Sequence, residues 1–521
     1  MMSRSFFAIV ILLFTITVKS QTLQEVGSSM QSAPSKAVIY VAKEIITLDP
    51  KNTTAEAVAV LNDKILSVGK LSDVKLALGA TPYEVDNRFA KKVLVPGFIA
   101  QHDHPILAAL TLASEVLSIE DWVLPSGTVP AVKSKEDFMT RLSAAEKKLT
   151  DPEEALVTWG YHPSFYGPLT RADLDKISKT RPVIAWMRSA HELVFNTAAM
   201  NKYGINGEFV NGLGESPKRQ SNFDEGRFWE KGFFAVGPKI AGVVATPERL
   251  AKGLQICRDY MHAKGITYGN EPGGILVKPL QEADFQIHIH VNGDAGLDRV
   301  LNTVEENMRR NPRYDHRTVI VHFAVSAKDQ VDRIARLGCI VSGNPYYTRA
   351  LADNYSKNGL GPERADNMVR MGDVERASVS YSFHSDMPMA PADPLFLMWC
   401  GINRITTGGR VAAPNQKVSR LGALKAVTID AAYSLKVEGS MGSIERGKLA
   451  NFTILADNPL TVDPTKVKDI GVWGTVVEGR VQPVQKTVSG EKGKSVAILS
   501  DADFSNQAMG HVLAVLSRHE H

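Results

Sequence analysis

The strongest constraint on the fold of this 521-residue chain is a long middle region in which apolar, strand-like runs alternate with helical stretches. The runs lie at residues 156–159, 183–186, 266–268, 285–290, 318–322, 339–342 and 378–383. The helical stretches between them include residues 135–149, 247–263, 295–309 and 327–337. Alternation of this kind predicts a parallel α/β sheet, and its length favours a (β/α)8 TIM-type barrel, complete or distorted.

The two ends of the chain have a different, β-rich pattern. Short strand-like runs occupy residues 37–48, 57–61 and 64–68, and similar runs return at 450–455 and 471–477. Short alternating runs bounded by turn residues are typical of antiparallel strands. The sequence therefore predicts that the two ends form β structure outside the barrel.

The amino terminus predicts export. Arg4 precedes the apolar residues 6–14, and Val18-Lys19-Ser20 has small residues at the two positions that a signal peptidase reads, with cleavage before Gln21. This apolar core is shorter than the about 20 residues that span a bilayer, which favours a cleaved signal over an anchor. We therefore expect a signal peptide at 1–20, a linker at 21–35 and a secreted or periplasmic protein with no membrane association after cleavage.

Composition excludes several classes of function. Lys and Arg total 60 against 56 acidic residues, so the net charge of +4 gives no electrostatic basis for nucleic-acid binding. Three cysteines without a CxxC pair argue against a disulfide scaffold and against a cysteine-built zinc site. A small molecule is the expected partner, and the possibility of a homo-oligomer stays open.

Histidines and one aspartate follow the predicted strands. His102 and His104 come just after an apolar stretch, His290 and His322 end two later strands, and Asp386 follows another. Residues two apart on a strand share a face, and a barrel builds its active site at the carboxyl ends of its strands. Nitrogen and carboxylate ligands suit Zn²⁺ or a similar divalent ion. We therefore predict that these five side chains bind one or two divalent ions, with zinc the expected metal.

Other candidates surround this set. Trp159, Tyr161 and Tyr346 lie near strand ends and are candidates for the substrate pocket, although aromatic residues there are more often packing residues. His288 shares a strand face with His290 and is interpreted as a buried supporting residue. His384 is interpreted as a loop or supporting group.

Several motifs together resemble a known family. Pro96-Gly97-Phe98-Ile99, followed by His102 and His104, resembles the entry motif of the metal-dependent amidohydrolase superfamily. The later motifs are similar to amidohydrolase family 3, the branch with N-substituted formamide deformylases and D-aminoacylase-like enzymes. They are Trp159-Gly160-Tyr161, His191 with Asn196 and Ala199, His290 to Asp294, His322-Phe-Ala, Ser385-Asp386-Met-Pro388 and residues 442–451.

The resemblance implies a domain organisation and a reaction. Residues 36–95 and 420–485 would form a composite β-sandwich, 96–419 the hydrolase barrel and 486–521 a tail. The implied activity is hydrolysis of amide-type, non-peptide C–N bonds by water that the metal activates. Asp386 would be the general base and acid, and His191 the donor to the developing oxyanion.

One departure from the family concerns residues 271–284. Relatives have a further barrel strand there, commonly with a metal-bridging ligand such as a carboxylated lysine, whereas residues 271–284 of this chain leave no room for that internal segment. Glu271 and Lys278 are the candidate substitutes for that ligand. Two alternatives therefore stay open: a catalytically impaired metal-binding homologue, and a hydrolase of esters or lactones on the same scaffold.

Overall fold

The computed structural model describes residues 36–272 and 286–484. The predicted signal peptide, the linker, Lys278 and the tail 486–521 lie outside these residues. The strands, in chain order, are β1 Ala37–Ile46, β2 Thr54–Leu61, β3 Lys64–Gly69, β4 Tyr83–Pro96, β5 Phe98–Ala100, β6 Glu115–Val116, β7 Trp122–Leu124, β8 Gly127–Val129, β9 Leu156–Tyr161, β10 Val183–Met187, β11 Glu192–Phe195, β12 Ser221–Asn222, β13 Arg227–Trp229, β14 Ile266–Gly269, β15 His288–Val291, β16 Val319–His322, β17 Ile340–Gly343, β18 Tyr381–Phe383, β19 Phe452–Leu455, β20 Val472–Val477 and β21 Arg480–Pro483.

The helices lie mainly between the strands of the middle region. They are Leu71–Leu78, Pro105–Leu112, Lys135–Glu146, Pro163–Tyr166, Arg171–Asp175, Thr197–Lys202, Gly207–Asn211, Glu215–Arg219, Lys231–Val244, Pro247–Ala263, Asp294–Arg310, Lys328–Leu337, Tyr346–Lys357, Gly361–Asp366, Met371–Arg376, Pro394–Asn403, Arg420–Ala426 and Ile429–Ser434, with 3₁₀ turns at Pro414–Gln416 and Pro464–Asp469. Among the described residues, none of these helices has both the length and the apolarity that crossing a bilayer requires.

Both ends of the chain meet in one seven-stranded sheet, in the order β21-β20-β19-β4-β1-β2-β3. Strand β19 pairs antiparallel with the end of β4, so that Phe452 lies opposite Pro96. Alternate residues of β1 face opposite sides of the sheet: Ile39 packs with Val74 of the helix Leu71–Leu78, whereas Tyr40 packs with Phe89. The prediction that the two ends belong together is confirmed, and the two packed layers of a sandwich stay a prediction.

The middle region has the predicted mixed α/β character, but its strands do not form one closed sheet within the described residues. Parallel pairing gives three groups. In the first β5 pairs with β14, and in the second β9 pairs with β6 on one side and with β10 on the other. In the third, β15, β16, β17 and β18 pair in that order. Strands β14 and β15 are not paired with each other, and no strand is described between Gly269 and His288. The described residues thus show three separate parallel groups, residues 273–285 lie outside them, and the predicted TIM-type barrel, complete or distorted, stays a prediction.

Local sequence explains why the elements form where they do. The helix Lys328–Leu337 buries Val331 and Ile334 on one face, as its apolar spacing requires. The Ala327 amide donates to Gln330 Oε1 at 2.9 Å where the helix begins. The helix ends at Gly338, whose φ of 69° is the left-handed conformation that glycine adopts most easily. Such helices place the polar ends of β15, β16 and β18 at one side of the molecule.

Candidate metal centre

Two short loops that are far apart in sequence form the centre of the site. Residues 101–104 follow β5, and residues 384–388 follow β18. The Asp386 amide donates to the His102 carbonyl at 3.1 Å, and the His104 amide donates to the Met387 carbonyl at 2.8 Å. These backbone bonds bring the paired histidines and Asp386 to the same place.

His102, His104 and Asp386 form a group with the geometry of a metal site. Asp386 Oδ1 lies 3.5 Å from His102 Nε2 and 3.3 Å from His104 Nε2, and the ligand atoms of all three lie within 4.8 Å of one another. Atoms bound at about 2.0–2.1 Å to a tetrahedral Zn²⁺ are separated by about 3.3–3.4 Å. Two imidazole nitrogens and one carboxylate oxygen are also ligands that zinc accepts. The donor set therefore fits a divalent ion.

Glu271 lies beside this group. Its Oε1 is 3.2 Å from His104 Nδ1, and its Oε2 accepts the amide of Ile106 at 3.2 Å, in the first turn of the helix that follows His104. A metal-binding histidine usually donates its second ring N–H to a carboxylate, which orients the ring and raises its basicity. The structure therefore places Glu271 where it can hold His104. His102 differs, because its buried Nδ1 has no hydrogen-bond partner in the part of the chain that the structure describes.

The charges of the three side chains are coupled. Burial opposes ionisation of Asp386, but hydrogen bonds from His102 and His104 hold the pKa of its carboxyl well below the usual range. Burial lowers the pKa of His104, but Asp386 and Glu271 outweigh it and raise that pKa to about 10. Asp386 is thus ionised at neutral pH, whereas the His104 ring would have to lose a proton to bind a metal ion.

Three further histidines form a hydrogen-bonded row next to the group. His322 Nε2 lies 2.8 Å from His290 Nδ1, and His322 Nδ1 lies 3.0 Å from His384 Nε2. Burial lowers the pKa of all three rings, that of His322 to about 3, so they are neutral near pH 7. The ring centres of His322 and His102 are 5.2 Å apart. His290 and His322 therefore line the same centre, and their predicted role as ligands stays a prediction.

The row continues at both ends. Asn292 Nδ2 lies 3.0 Å from His290 Nε2, and His384 Nδ1 lies 2.7 Å from Ser342 Oγ. The Ser342 hydroxyl in turn donates to Gln101 Oε1 at 2.5 Å. The network is buried from His322 to Gln101 and reaches the surface at His290 and Asn292. In its buried part every alternative arrangement leaves a polar group unpaired, which makes the arrangement rigid. The network thus fixes the imidazole rings across the ends of β15, β16 and β18.

The other predicted site residues lie in different surroundings. His191 is exposed, with Nδ1 at 3.3 Å from Glu230 Oε2. Trp159 is fully buried against Trp122. The roles proposed for these residues stay predictions.

The predicted pocket tyrosines are core residues. The buried Tyr161 hydroxyl donates to the Gly167 carbonyl at 2.9 Å, and the Tyr346 ring is buried against Phe396. The next residue, Tyr347, lies closer to the site, with its ring centre 6.3 Å from that of His322. Sequence reasoning missed Tyr347, since only the rotation of the helix Tyr346–Lys357 decides which tyrosine faces the histidines.

The backbone is strained where the site is built. Asp386, His322 and Phe323 have φ of 60°, 72° and 52°, in the left-handed region that side chains other than glycine seldom adopt. Such residues persist only where surrounding contacts hold them, and they are common at functional sites. Two of the three are predicted metal ligands.

Comparison with known proteins finds similarity to one family over part of the chain. Residues 267–482 match the model named Amidohydrolase family. A putative amidohydrolase, YtcJ of Bacillus subtilis, is 24% identical over 218 residues, which is 41% of this chain and 40% of the relative. An N-substituted formamide deformylase of Arthrobacter pascens is 28% identical over 196 residues, which is 37% of this chain and 36% of the relative. The chain thus matches well under half the length of these relatives.

A solved structure gives the fold. An uncharacterised metal-dependent hydrolase from Pyrococcus horikoshii superimposes with a TM-score of 0.60 at 17% identity, covering 82% of this chain and 99% of that protein. At this identity the likeness concerns the fold alone. Residues 267–482 are thus similar to the amidohydrolase family, which confirms the resemblance drawn from the motifs in that part of the chain.

Proposed function

We propose that this chain is an exported, metal-dependent hydrolase of amide-type, non-peptide C–N bonds. The observation that carries the proposal is the group of His102, His104 and Asp386, whose donor atoms have the spacing of a divalent metal site. The family match over residues 267–482 and the similar formamide deformylase support the bond type. Zinc is the proposed metal, as one or two ions, with His290 and His322 completing the ligand set.

The roles of the side chains follow from their charges and positions. A bound divalent ion would lower the pKa of water toward about 7 and supply hydroxide at neutral pH. Asp386 is ionised, so it can accept the proton of the attacking water and return it to the leaving nitrogen. His191 is the proposed donor to the developing oxyanion, reached from the exposed side of the site.

Hydrolysis of a panel of N-formyl and N-acyl amines by the full chain, loaded with zinc, tests the proposal. We expect turnover that falls by at least about 100-fold in Asp386→Asn, because the variant loses both a ligand and the proton acceptor. Asp373→Asn is the matched control: Asp373 is also buried and accepts several hydrogen bonds, but from Arg376 and Gln416 outside the site. Turnover that does not change in Asp386→Asn would contradict the proposal.

Two other functions remain as alternatives. The short segment at residues 271–284 favours a catalytically impaired homologue that binds metal without turnover. Metal binding without hydrolysis of any amide would support it. A hydrolase of esters or lactones is the third candidate, and matched amide and ester analogues of one substrate separate it from an amidase.

The export part of the proposal depends on residues 1–20 alone. Expression of the full chain in a bacterial host, followed by fractionation and amino-terminal sequencing, tests it. We expect a mature form in the periplasm or medium that begins at Gln21. A protein that stays in the cytoplasm with Met1 in place would contradict export.

A further inference from the structure

We propose that Asp103, the residue between the paired histidines, is a positioning residue that holds Asp386 in place and thereby sets the affinity of the site for a divalent ion. The inference rests on the metal site of the proposed function. Asp103 is not one of the three donors grouped around the ion position. It would therefore act through Asp386 and not on the metal itself.

Asp103 binds the residues on both sides of Asp386. Its Oδ1 accepts the Ser385 hydroxyl at 2.5 Å and the Met387 amide at 2.9 Å. The Asp103 residue is only 1% exposed, so water does not compete for these bonds. Hydrogen bonds to an ionised acceptor are roughly twice as strong as neutral ones. One carboxylate oxygen thus clamps the two neighbours of the proposed ligand.

The clamp matters because Asp386 is strained. Its φ of 60° is unfavourable for an aspartate, and the chain would leave that conformation if nothing held the flanking residues. The Asp386 and His104 amides form two backbone hydrogen bonds between the same two loops. The Asp103 carboxylate adds hydrogen bonds from a side chain to these backbone bonds. Since Asp103 lies between His102 and His104, any shift at the clamp changes the distance between the histidine nitrogens and the Asp386 carboxylate.

The Asp103 carboxylate helps to fix the distance between the two loops. Residues 103 and 386 lie in the loops that follow strands β5 and β18, and these two strands are not hydrogen-bonded to each other among the described residues. A sheet ladder therefore does not fix the separation of the loops at this point. The bonds between the loops do so, and Asp103 is the residue whose side chain can be changed without altering a donor atom.

The test measures metal affinity in the full chain, by chelator competition for Zn²⁺ and by the visible absorption of bound Co²⁺. We expect Asp103→Asn to weaken binding by about 10- to 100-fold, which is the range for partners that orient metal ligands. Ser385→Ala removes one of the two bonds and should give a smaller loss. The Co²⁺ spectrum should also change in Asp103→Asn, because the placement of the carboxylate changes.

The controls separate positioning from simple loss of stability. Asp373→Asn removes another buried, hydrogen-bonded carboxylate and should leave affinity and the Co²⁺ spectrum of the folded protein unchanged. Thermal unfolding of the metal-free variants gives the stability loss of each. Affinity in Asp103→Asn within about twofold of the original chain, or an equal loss in Asp373→Asn, overturns the inference. Should Asp103→Asn not fold, Ser385→Ala with unchanged affinity and spectrum overturns it.

The outcome is independent of catalysis. If no amide is hydrolysed but the metal affinities differ as expected, the proposed function fails and the role of Asp103 stands. If hydrolysis occurs and the affinities do not differ, the role of Asp103 fails and the function stands. If the original chain binds no divalent ion, both fail.

Discussion

At the scale of single residues, the site depends on histidines whose second nitrogen is held by another group. His104 lies between the carboxylates of Asp386 and Glu271, at 3.3 and 3.2 Å. His322 lies between His290 and His384. Hydrogen bonds at both nitrogens fix the orientation of a ring. When one nitrogen exchanges its hydrogen bond for a metal ion, the partner of the other nitrogen keeps that orientation. The hydrogen-bond partners of each imidazole therefore decide whether it can bind a metal ion as much as the presence of a histidine does.

Glu271→Gln tests this argument for His104. The substitution keeps the shape but removes the charge that faces Nδ1, so we expect divalent-ion affinity to fall by about tenfold. Glu230→Gln is the matched control, because Glu230 also faces a histidine, His191, at 3.3 Å but on an exposed surface. Chelator competition gives both affinities. An equal effect in the two variants would contradict the role of Glu271.

A second prediction concerns Asp430, which is half-buried in the helix Ile429–Ser434. Burial raises the pKa of its carboxyl to about 6, whereas the unfolded chain has the ordinary value of about 3.9. The folded state therefore binds more protons between these values, and stability falls as pH rises from about 4 to 6. A shift of about two units corresponds to roughly 3 kcal/mol. Asp430→Asn removes this dependence.

Urea unfolding at pH 4 and pH 7.5 measures the effect of Asp430. We expect the free energy of unfolding of Asp430→Asn, relative to that of the original chain, to be higher at pH 7.5 than at pH 4. The exposed Asp469→Asn is the control, and its difference should vary little. A difference for Asp430→Asn that is the same at both pH values would contradict the argument.

At the scale of elements, close contacts between helices position the site. The helix Pro105–Leu112 begins directly after His104 and crosses the helix Pro247–Ala263. They approach at Gly253, where an added Cβ would lie 1.9 Å from the Ala109 carbonyl oxygen. Because that atom belongs to a backbone, it cannot move without displacing the helix. The contact thus connects helix packing with the position of His104.

We therefore expect Gly253→Ala to lower the free energy of unfolding by about 1–3 kcal/mol through overpacking, and to weaken metal binding. Gly242→Ala is the matched control, because its added Cβ would meet nothing within 4 Å in the helix Lys231–Val244. That change should stabilise the protein by about 0.5–1 kcal/mol, as alanine is the better helix former. Urea unfolding and chelator competition measure both. An unchanged free energy of unfolding and an unchanged metal affinity in Gly253→Ala would contradict the packing argument.

Local elements were the most predictable part of the fold. The helix at 247–263 has the predicted bounds because Thr246 caps it, Pro247 favours its first turn and its apolar residues recur with helical spacing. The strand predicted at 285–290 is observed at His288–Val291. Local sequence marks where an element begins and ends, and tertiary contacts adjust those limits by a few residues.

The site was predictable in part. The histidines and Asp386 were found because polar residues at strand ends meet at one edge of a parallel sheet. Asp103 was missed because its partners, Ser385 and Met387, lie in a loop that is close only after folding. The sequence signal for it is only an acidic residue between two histidines.

At the scale of the whole molecule, the sheet from the chain ends is joined to the first barrel strands. Thr453 Oγ1 accepts the Phe98 amide at 3.0 Å and donates to the Gly265 carbonyl at 2.6 Å. Thr453 lies on β19, whereas Phe98 and Gly265 belong to the start of β5 and the residue before β14. One hydroxyl thus links the last part of the chain to the strand that leads to the metal centre.

Thr453→Val tests this junction. Valine has the same shape, but it leaves the buried Phe98 amide and Gly265 carbonyl without the hydroxyl, so we expect a loss of about 2–3 kcal/mol in the free energy of unfolding. Thr461→Val, at an exposed position, is the control and should change it by less than about 0.5 kcal/mol. Urea unfolding measures both. An equal loss in the free energy of unfolding of the two variants would contradict the role of Thr453 at this junction.

Barrel closure was the part that sequence could not predict. Alternation of strands and helices predicts parallel pairing, but the pairing of β5 with β14 joins residues far apart in the chain and depends on which strands lie between them. Within the described residues the three parallel groups are not joined into one sheet, and residues 273–285, between β14 and β15, lie outside that part of the chain. Local patterns identify strands, and their neighbours are decided by the whole fold.

The central claim is that His102, His104 and Asp386 together bind a divalent ion. The most direct measurement is the metal content of the purified chain, by elemental analysis after zinc loading and removal of free metal. We predict at least one ion per chain, lost in His104→Ala and Asp386→Asn and retained in Asp373→Asn. Metal content that is equal in all four proteins, or absent from the original chain, would contradict the account.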